Sequence, residues 1–224
     1  MSTTQDEEET QVYVYGKSFY NDNAPSKFTI NGEIVARVCC GDTHSAFFTK
    51  TGILYTFGQN DWGQTGHGHK QRVTQPTKVD GLVGTIDMVS LGRSHTIVGS
   101  TAGILFSFGC NGNGQLGMGS LDMSESVVPM QVKIPPHHFK MLACGAEHSV
   151  ALTMAGDLFV WGSGELGQLG NGRCVEGIAT PEKLKTKLKI THVACGYYHT
   201  AFITEKDRSV YLFGENESGN ILRM

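Results

Sequence analysis

Cys144-Gly145-Ala146-Glu147-His148-Ser149 occurs four times in this chain in slightly altered form. The other copies are Cys40-Gly41-Asp42-Thr43-His44-Ser45, Leu91-Gly92-Arg93-Ser94-His95-Thr96 and Cys195-Gly196-Tyr197-Tyr198-His199-Thr200. The steps between their glycines are 51, 53 and 51 residues. An aromatic-glycine pair keeps the same spacing at Phe57-Gly58, Phe108-Gly109, Trp161-Gly162 and Phe213-Gly214, with an earlier copy at Tyr15-Gly16. Pro76, Pro129 and Pro181 form a third periodic mark. Self-similarity at a fixed period of this size is the signature of a repeat architecture, in which each unit buries its apolar faces against its neighbours.

Between these marks the residues read as short strands. Apolar runs at 45–49, 96–100, 149–153 and 200–204 are each followed by a turn, such as Lys50-Thr51-Gly52 or Met154-Ala155-Gly156. A second run ends at each aromatic-glycine pair, and a third precedes each glycine-histidine turn, as at 86–91 and 190–195. The proline segment supplies a fourth strand, placed at an outer edge because proline has no N–H to give a ladder. Four short strands per repeat describe one blade of a β-propeller. The chain therefore reads as all-β, a β-propeller with about four blades. Gly41, Gly58, Gly92, Gly109, Gly145, Gly162, Gly196 and Gly214 are its structural repeat positions, with His44, His95, His148 and His199.

Composition agrees. The 224 residues include 29 glycines, roughly twice the usual share, and only 17 % charged residues with a net charge of −3. This excludes a long-helix protein and a chain kept unfolded by self-repulsion, and gives no reason to expect nucleic-acid binding. No apolar run is long enough for a transmembrane helix. Residues 1–10, with Asp6, Glu7, Glu8 and Glu9, read as a disordered acidic tail, and 11–224 as the repeat-built part. Without a secretory signal, Cys39, Cys40, Cys110, Cys144, Cys174 and Cys195 read as free buried thiols of a cytoplasmic protein.

Several motifs imitate chemistry. Gly112-Asn113-Gly114-Gln115-Leu116-Gly117 and Gly162-Ser163-Gly164-Glu165-Leu166-Gly167 match the dinucleotide fingerprint, but no helix follows to hold a pyrophosphate. They align with the loop at 60–66 and read as glycine-rich turns. The periodic histidines repeat too regularly for a metal ligand set, and each is expected to bond a backbone carbonyl of its own or a neighbouring blade. His67, His69, His137 and His138 read as exposed loop residues. No catalytic constellation, cofactor site or metal site stands out, and the reading is of a non-enzyme. Lys183, Lys185, Lys187 and Lys189 alternate with other residues and read as one face of an extended outer strand, or as a strip for an acidic partner. Asn216-Glu217-Ser218 matches a glycosylation acceptor and is discounted for want of a secretory route.

The repeated Cys-Gly-x-x-His-Ser/Thr, aromatic-Gly and Gly-Gln-Leu-Gly elements resemble those of the regulator of chromosome condensation family, across about 12–219. Tyr15-Gly16-Lys17-Ser18, Pro25-Ser26-Lys27-Phe28 and the 57–64 segment resemble a ciliary GTPase-regulator branch of that family. The resemblance implies a seven-bladed propeller, of which this length holds about four blades as an open arc. In the family an N-terminal strand, here 12–15, closes the ring on the last blade. It also implies a protein-binding scaffold at the cilium or basal body. Its partners would be trafficking or transition-zone factors, including a prenyl-binding chaperone. The alternative it implies is nucleotide exchange on a Ran-like small GTPase, with a nuclear location. The even repeat spacing leaves no insertion for the wedge that exchange uses. Candidate partner loops are those around Asp61 and Trp62, at 121–126, and at 173–177 with Arg173.

Overall fold

A computed structural model describes residues 10–14, 26–30 and 32–217 of the chain. Seventeen strands make up its regular structure. β3 (Val35–Cys40), β4 (His44–Thr49), β5 (Leu54–Gly58) and β6 (Val73–Lys78) form an antiparallel blade in that order. The second blade is β7 (Ile86–Leu91), β8 (His95–Ser100), β9 (Leu105–Cys110) and β10 (Glu125–Gln131). The third is β11 (Phe139–Cys144), β12 (His148–Thr153), β13 (Leu158–Gly162) and β14 (Ile178–Lys183). The fourth has three strands among the described residues, β15 (Ile190–Cys195), β16 (His199–Thr204) and β17 (Val210–Gly214). The blades stand as an open arc of the propeller type, with neighbouring inner strands packed as β3/β7, β7/β11 and β11/β15.

The period-two alternation of each second strand explains the stacking. Successive side chains point to opposite faces, so one set meets the preceding blade and the other the following blade. In β12, Val150 and Leu152 join the cluster with Phe202 of blade four, while Ala151 joins the cluster with Ile97 of blade two. Each of the three apolar clusters is therefore an interface between two blades. The proline strands lie outermost, as expected, with Pro76, Pro129 and Pro181 in β6, β10 and β14. Their ladders to β5, β9 and β13 shift register close to these prolines.

Three expectations change here. β1 (Thr10–Val14) pairs with β2 (Ser26–Ile30) as a separate two-stranded sheet, not with the last blade, and Phe28 packs 5.9 Å from Phe57 of blade one. Thr10 thus begins a strand, while the acidic residues 6–9, Tyr15-Gly16, Pro25 and Ser218 onward lie outside the described residues. The lysine run is not one extended strand. β14 ends at Lys183, the chain bends at Lys187 and Leu188, and Leu184 is buried. Apolar burial of Leu184 outweighs the alternation that would keep the strand straight. Cys40 and Cys174 are exposed, and the other four cysteines are half-buried, all free.

Candidate interaction surface

The glycine-histidine turns sit where blades meet. His44 Nε2 lies 2.7 Å from Thr96 Oγ1, His95 Nε2 2.9 Å from Ser149 Oγ, and His148 Nε2 2.9 Å from Thr200 Oγ1. Each hydroxyl in turn donates to a backbone carbonyl: Thr96 to Gln64, Ser149 to Gln115 and Thr200 to Gln168, at 2.8–2.9 Å. A hydroxyl has one proton, and it is spent on the carbonyl, so the imidazole donates from Nε2 and Nδ1 is bare. His44, His95 and His148 all leave Nδ1 buried without a hydrogen-bond partner. The expected histidine–carbonyl bond is therefore replaced by a relay through the hydroxyl of the next blade. Spacing along one strand could not show this, because the partner is a full repeat away.

Burial holds these imidazoles neutral. It lowers His44 and His148 to about 4 and His95 to about 3, where His44 and His148 add to the effect. Gly92, Gly145 and Gly196 do not need their freedom for a left-handed turn. They are required because a Cβ there would stand 2.0–2.2 Å from Cε1 of the histidine three residues on. His199 carries the same motif at the end of the described arc and is only half-buried.

The loops after β5 and β9 dock on β10 and β14, the outer strands of the following blades. A Cβ on Gly63 would meet Val127 Cα at 2.6 Å, and one on Gly114 would meet Ala179 Cα at 2.7 Å, both at positive φ. Gly68 and Gly119 donate amides to the carbonyls of Val127 and Ala179. Buried Asn60 and Asn111 hold these loops shut, each donating to two loop carbonyls and accepting one loop amide. Gly114 and Gly117 donate amides to Asn111 O and Gly114 O, and Gly164 and Gly167 to Val175 O and Gly164 O, so both fingerprint-like runs close on themselves as turns.

Docking the first loop on β10 creates an exposed apolar rim. Trp62 in that loop is 42 % exposed, with Lys70 5.9 Å above its indole ring, and Val128 and Met130 of β10 are exposed as well. Leu121 and Met123 of the second loop are also exposed. Asp61 is exposed and accepts from Gln59. Arg173, in the third loop, pairs with Glu182, and no contact joins it to Asp61 or Trp62 among the described residues. The rim strand β10 was not among the expected partner loops; its run of Val127, Val128 and Met130 was a signal for it. His67 and His137 are half-buried rather than exposed, through a 2.9 Å bond to Thr56 and ring packing on Phe159.

A second surface lies along the axis. The glycine-histidine turns enclose a shallow cleft of about 270 Å³ bounded by Asp42, Arg93, Ala146 and Tyr197, with Cys40, Cys144 and Cys195 on its wall. Burial pushes the Cys144 thiol up to about 12 and the Cys195 thiol up as well, so these are not thiolate nucleophiles at neutral pH. No cluster of three or more His, Cys, Asp or Glu side chains suited to a metal ion occurs among the described residues. No helix there is long and apolar enough to cross a membrane.

Known proteins bear this architecture out. The human X-linked retinitis pigmentosa GTPase regulator is 36 % identical over 174 residues, covering 77 % of this chain and 17 % of its own length. The ultraviolet-B receptor UVR8 of Arabidopsis thaliana is 33 % identical over 197 residues, covering 86 % of this chain and 44 % of its own. Human WBSCR16 superposes with a TM-score of 0.78 at 27 % identity, covering 89 % of this chain and 54 % of that one. Yeast RCC1 (Prp20), solved bound to Kap60, shares the fold with a TM-score of 0.80 at 20 % identity over 92 % of this chain and 52 % of that one. The chain thus spans from about a sixth to about half of the length of these relatives. Residues 7–221 match the RCC1-like domain, and the chain belongs to that family.

Proposed function

We propose that this chain is a non-catalytic protein-interaction scaffold that serves small-GTPase-linked trafficking at the cilium or basal body. The observation that carries the reading is the exposed rim of Trp62, Val128 and Met130, held on rigid blades in a chain similar to a GTPase regulator. Exposed apolar residues gathered on loops of a stiff scaffold mark contact sites for other proteins. Trp is also the residue type most enriched among the few that dominate binding energy. The partners fitting the resemblance are a prenyl-binding chaperone or a transition-zone protein.

A second reading is nucleotide exchange on a Ran-like GTPase in the nucleus. It is favoured by one structural neighbour, yeast Prp20p, whose described binding properties concern Gsp1p and histones and which is 26 % identical with a TM-score of 0.67. The even repeat length argues against it, since none of the described blades carries an insertion to act as a wedge.

Affinity capture from ciliated cells, paired with a nucleotide-release assay on a Ran-like GTPase, tests both. The scaffold reading expects recovery of ciliary trafficking proteins, lost in a Trp62→Ala/Met130→Ser variant, and no acceleration of release. Clear acceleration of release reverses the order of the two readings.

A further inference from the structure

Lys183, Lys185, Lys187 and Lys189 belong neither to the blade interfaces nor to the apolar rim. Their segment is pinned at both ends. Leu184 is buried and its amide donates to Leu158 O at 2.8 Å, and Ile190 is buried and its amide donates to Gly156 O at 3.2 Å. Between these anchors the chain closes on itself, with Thr186 N donating to Leu184 O and Leu188 N to Thr186 Oγ1. Lys185 and Lys187 are thereby left exposed.

The neighbouring turn, Glu205-Lys206-Asp207-Arg208, brings two cations and two carboxylates to the edge of this segment. Glu205 N donates to Lys189 O at 2.8 Å, which ties the turn carrying Lys206 and Arg208 to the lysine segment. Arg208 sits at φ 58, the one non-glycine in the left-handed region among the described residues. This turn is one residue longer than its counterparts at Gly52, Gly103 and Gly156.

Local acids cancel only part of the charge of the lysine segment. Asp157 is shared by Lys183 at 2.7 Å and Lys189 at 3.4 Å, and the Lys183 hydrogen bond holds its carboxyl below the usual range. Asp207 accepts from Thr204 Oγ1 and Ser209 N, and Glu182 is paired with Arg173. Lys185, Lys187, Lys206 and Arg208 form no ion pair among the described residues. Beside them opens a cleft of about 520 Å³ lined by Asn171, Arg173, Glu182, Lys183 and Lys185, in which Glu182 is held by Arg173 and Asn171 Nδ2 is without a hydrogen-bond partner.

We propose that this strip, from Arg173 through Lys183 and Lys185 to Lys187 and Lys189, is a docking site for an extended acidic peptide of a partner protein. Its five cations face two carboxylates, Glu182 and Asp157, so the strip keeps a net positive field, and Asn171 and Lys185 add donors at the cleft. The segments 183–189 and 205–208 contain no aromatic residue, so they offer no stacking platform to single-stranded nucleic acid and no aromatic anchor to a membrane. The proposal rests on the scaffold reading only in that the peptide belongs to another protein. It uses a surface distinct from the Trp62 rim.

The test is fluorescence anisotropy of a labelled hexaglutamate peptide against the full 224-residue chain. Binding is expected, weakening as salt is raised. The Lys185→Gln/Lys187→Gln/Lys189→Gln variant should lose about tenfold or more in affinity. A control, Lys50→Gln/Lys133→Gln/Lys140→Gln, should stay within about twofold, with thermal melts verifying that both variants fold. Unchanged binding by the first variant, or an equal loss in the control, overturns the proposal. So does tighter binding to phosphatidylserine vesicles or to polyuridylate. A gain of more than about tenfold on deleting residues 1–9 would show that the chain's own acidic tail fills the strip, and would also overturn it. Trp62→Ala/Met130→Ser should leave peptide binding intact, so failure of the strip and failure of the rim are read separately.

Discussion

β12 and β16 carry the same motif, His-Ser/Thr followed by apolar residues, yet they live in different surroundings. All six residues of β12 are buried, whereas β16 alternates between half-buried and buried. The half-buried set is His199, Ala201 and Ile203, the face turned away from blade three. The same asymmetry appears at the other end, where Val38 of β3 is 59 % exposed while its equivalent Val89 of β7 is buried. Burial in this molecule is conferred by the adjacent blade. A repeat is amphipathic on two faces, and neither face is a core until a neighbour covers it.

Acid breaks the comparison most strongly. His44, His95 and His148 have their pKa lowered from 6.5, so the unfolded chain binds protons that the folded chain refuses. Stability is complete above the unfolded value and is lost as pH falls from 6.5 towards the folded values of about 3 to 4. The loss should be about 1.4 kcal/mol for each such histidine and each pH unit in that window. Thermal melting followed from neutral pH down to the acid end of the window is the measurement, and a flat profile there would contradict the buried neutral relay.

Crowding a blade interface comes next. Gly145→Ala would put a methyl 2.0 Å from His148 Cε1 and 2.8 Å from Gly196 O of blade four. A cost of about 2–3 kcal/mol is expected, seen as a drop in Tm of several degrees. His148→Ala and His199→Ala then sharpen the contrast between covered and uncovered blades. The first should cost about 1–3 kcal/mol and the second well under half as much in chemical denaturation. Equal effects would mean that the following blade contributes nothing to the relay. Smallest is Gly112→Ala, where a Cβ meets nothing within 4 Å and φ is not left-handed. It should leave the melting temperature unchanged within about 0.5 kcal/mol of stability, although Gly112 belongs to a fingerprint-like run.

Much of the fold was legible because a repeat multiplies weak signals. Any one copy of Gly-x-x-His is uninformative, but four copies in step with aromatic-glycine pairs and prolines locate the blades and their outer strands. The lysine segment shows where such reading stops. Alternation predicted a straight strand, but Leu184 and Ile190 each had an interface to enter, and the chain bent to serve both. The rim was half legible: Trp62 stood out in its loop, whereas the exposed Val128 and Met130 of the strand on which that loop docks come from the next repeat.

The sequence by itself determined the blade: its four strands, its turns, the edge position of its prolines and the family to which it belongs. Only the tertiary structure decided what each periodic histidine bonds, why the turn glycines lack a side chain, and which cations gather into one strip. The physical reason is the same throughout. Contacts within a blade join residues close in the chain and leave a local pattern, while contacts between blades join residues about fifty positions apart, where spacing along one strand carries no information.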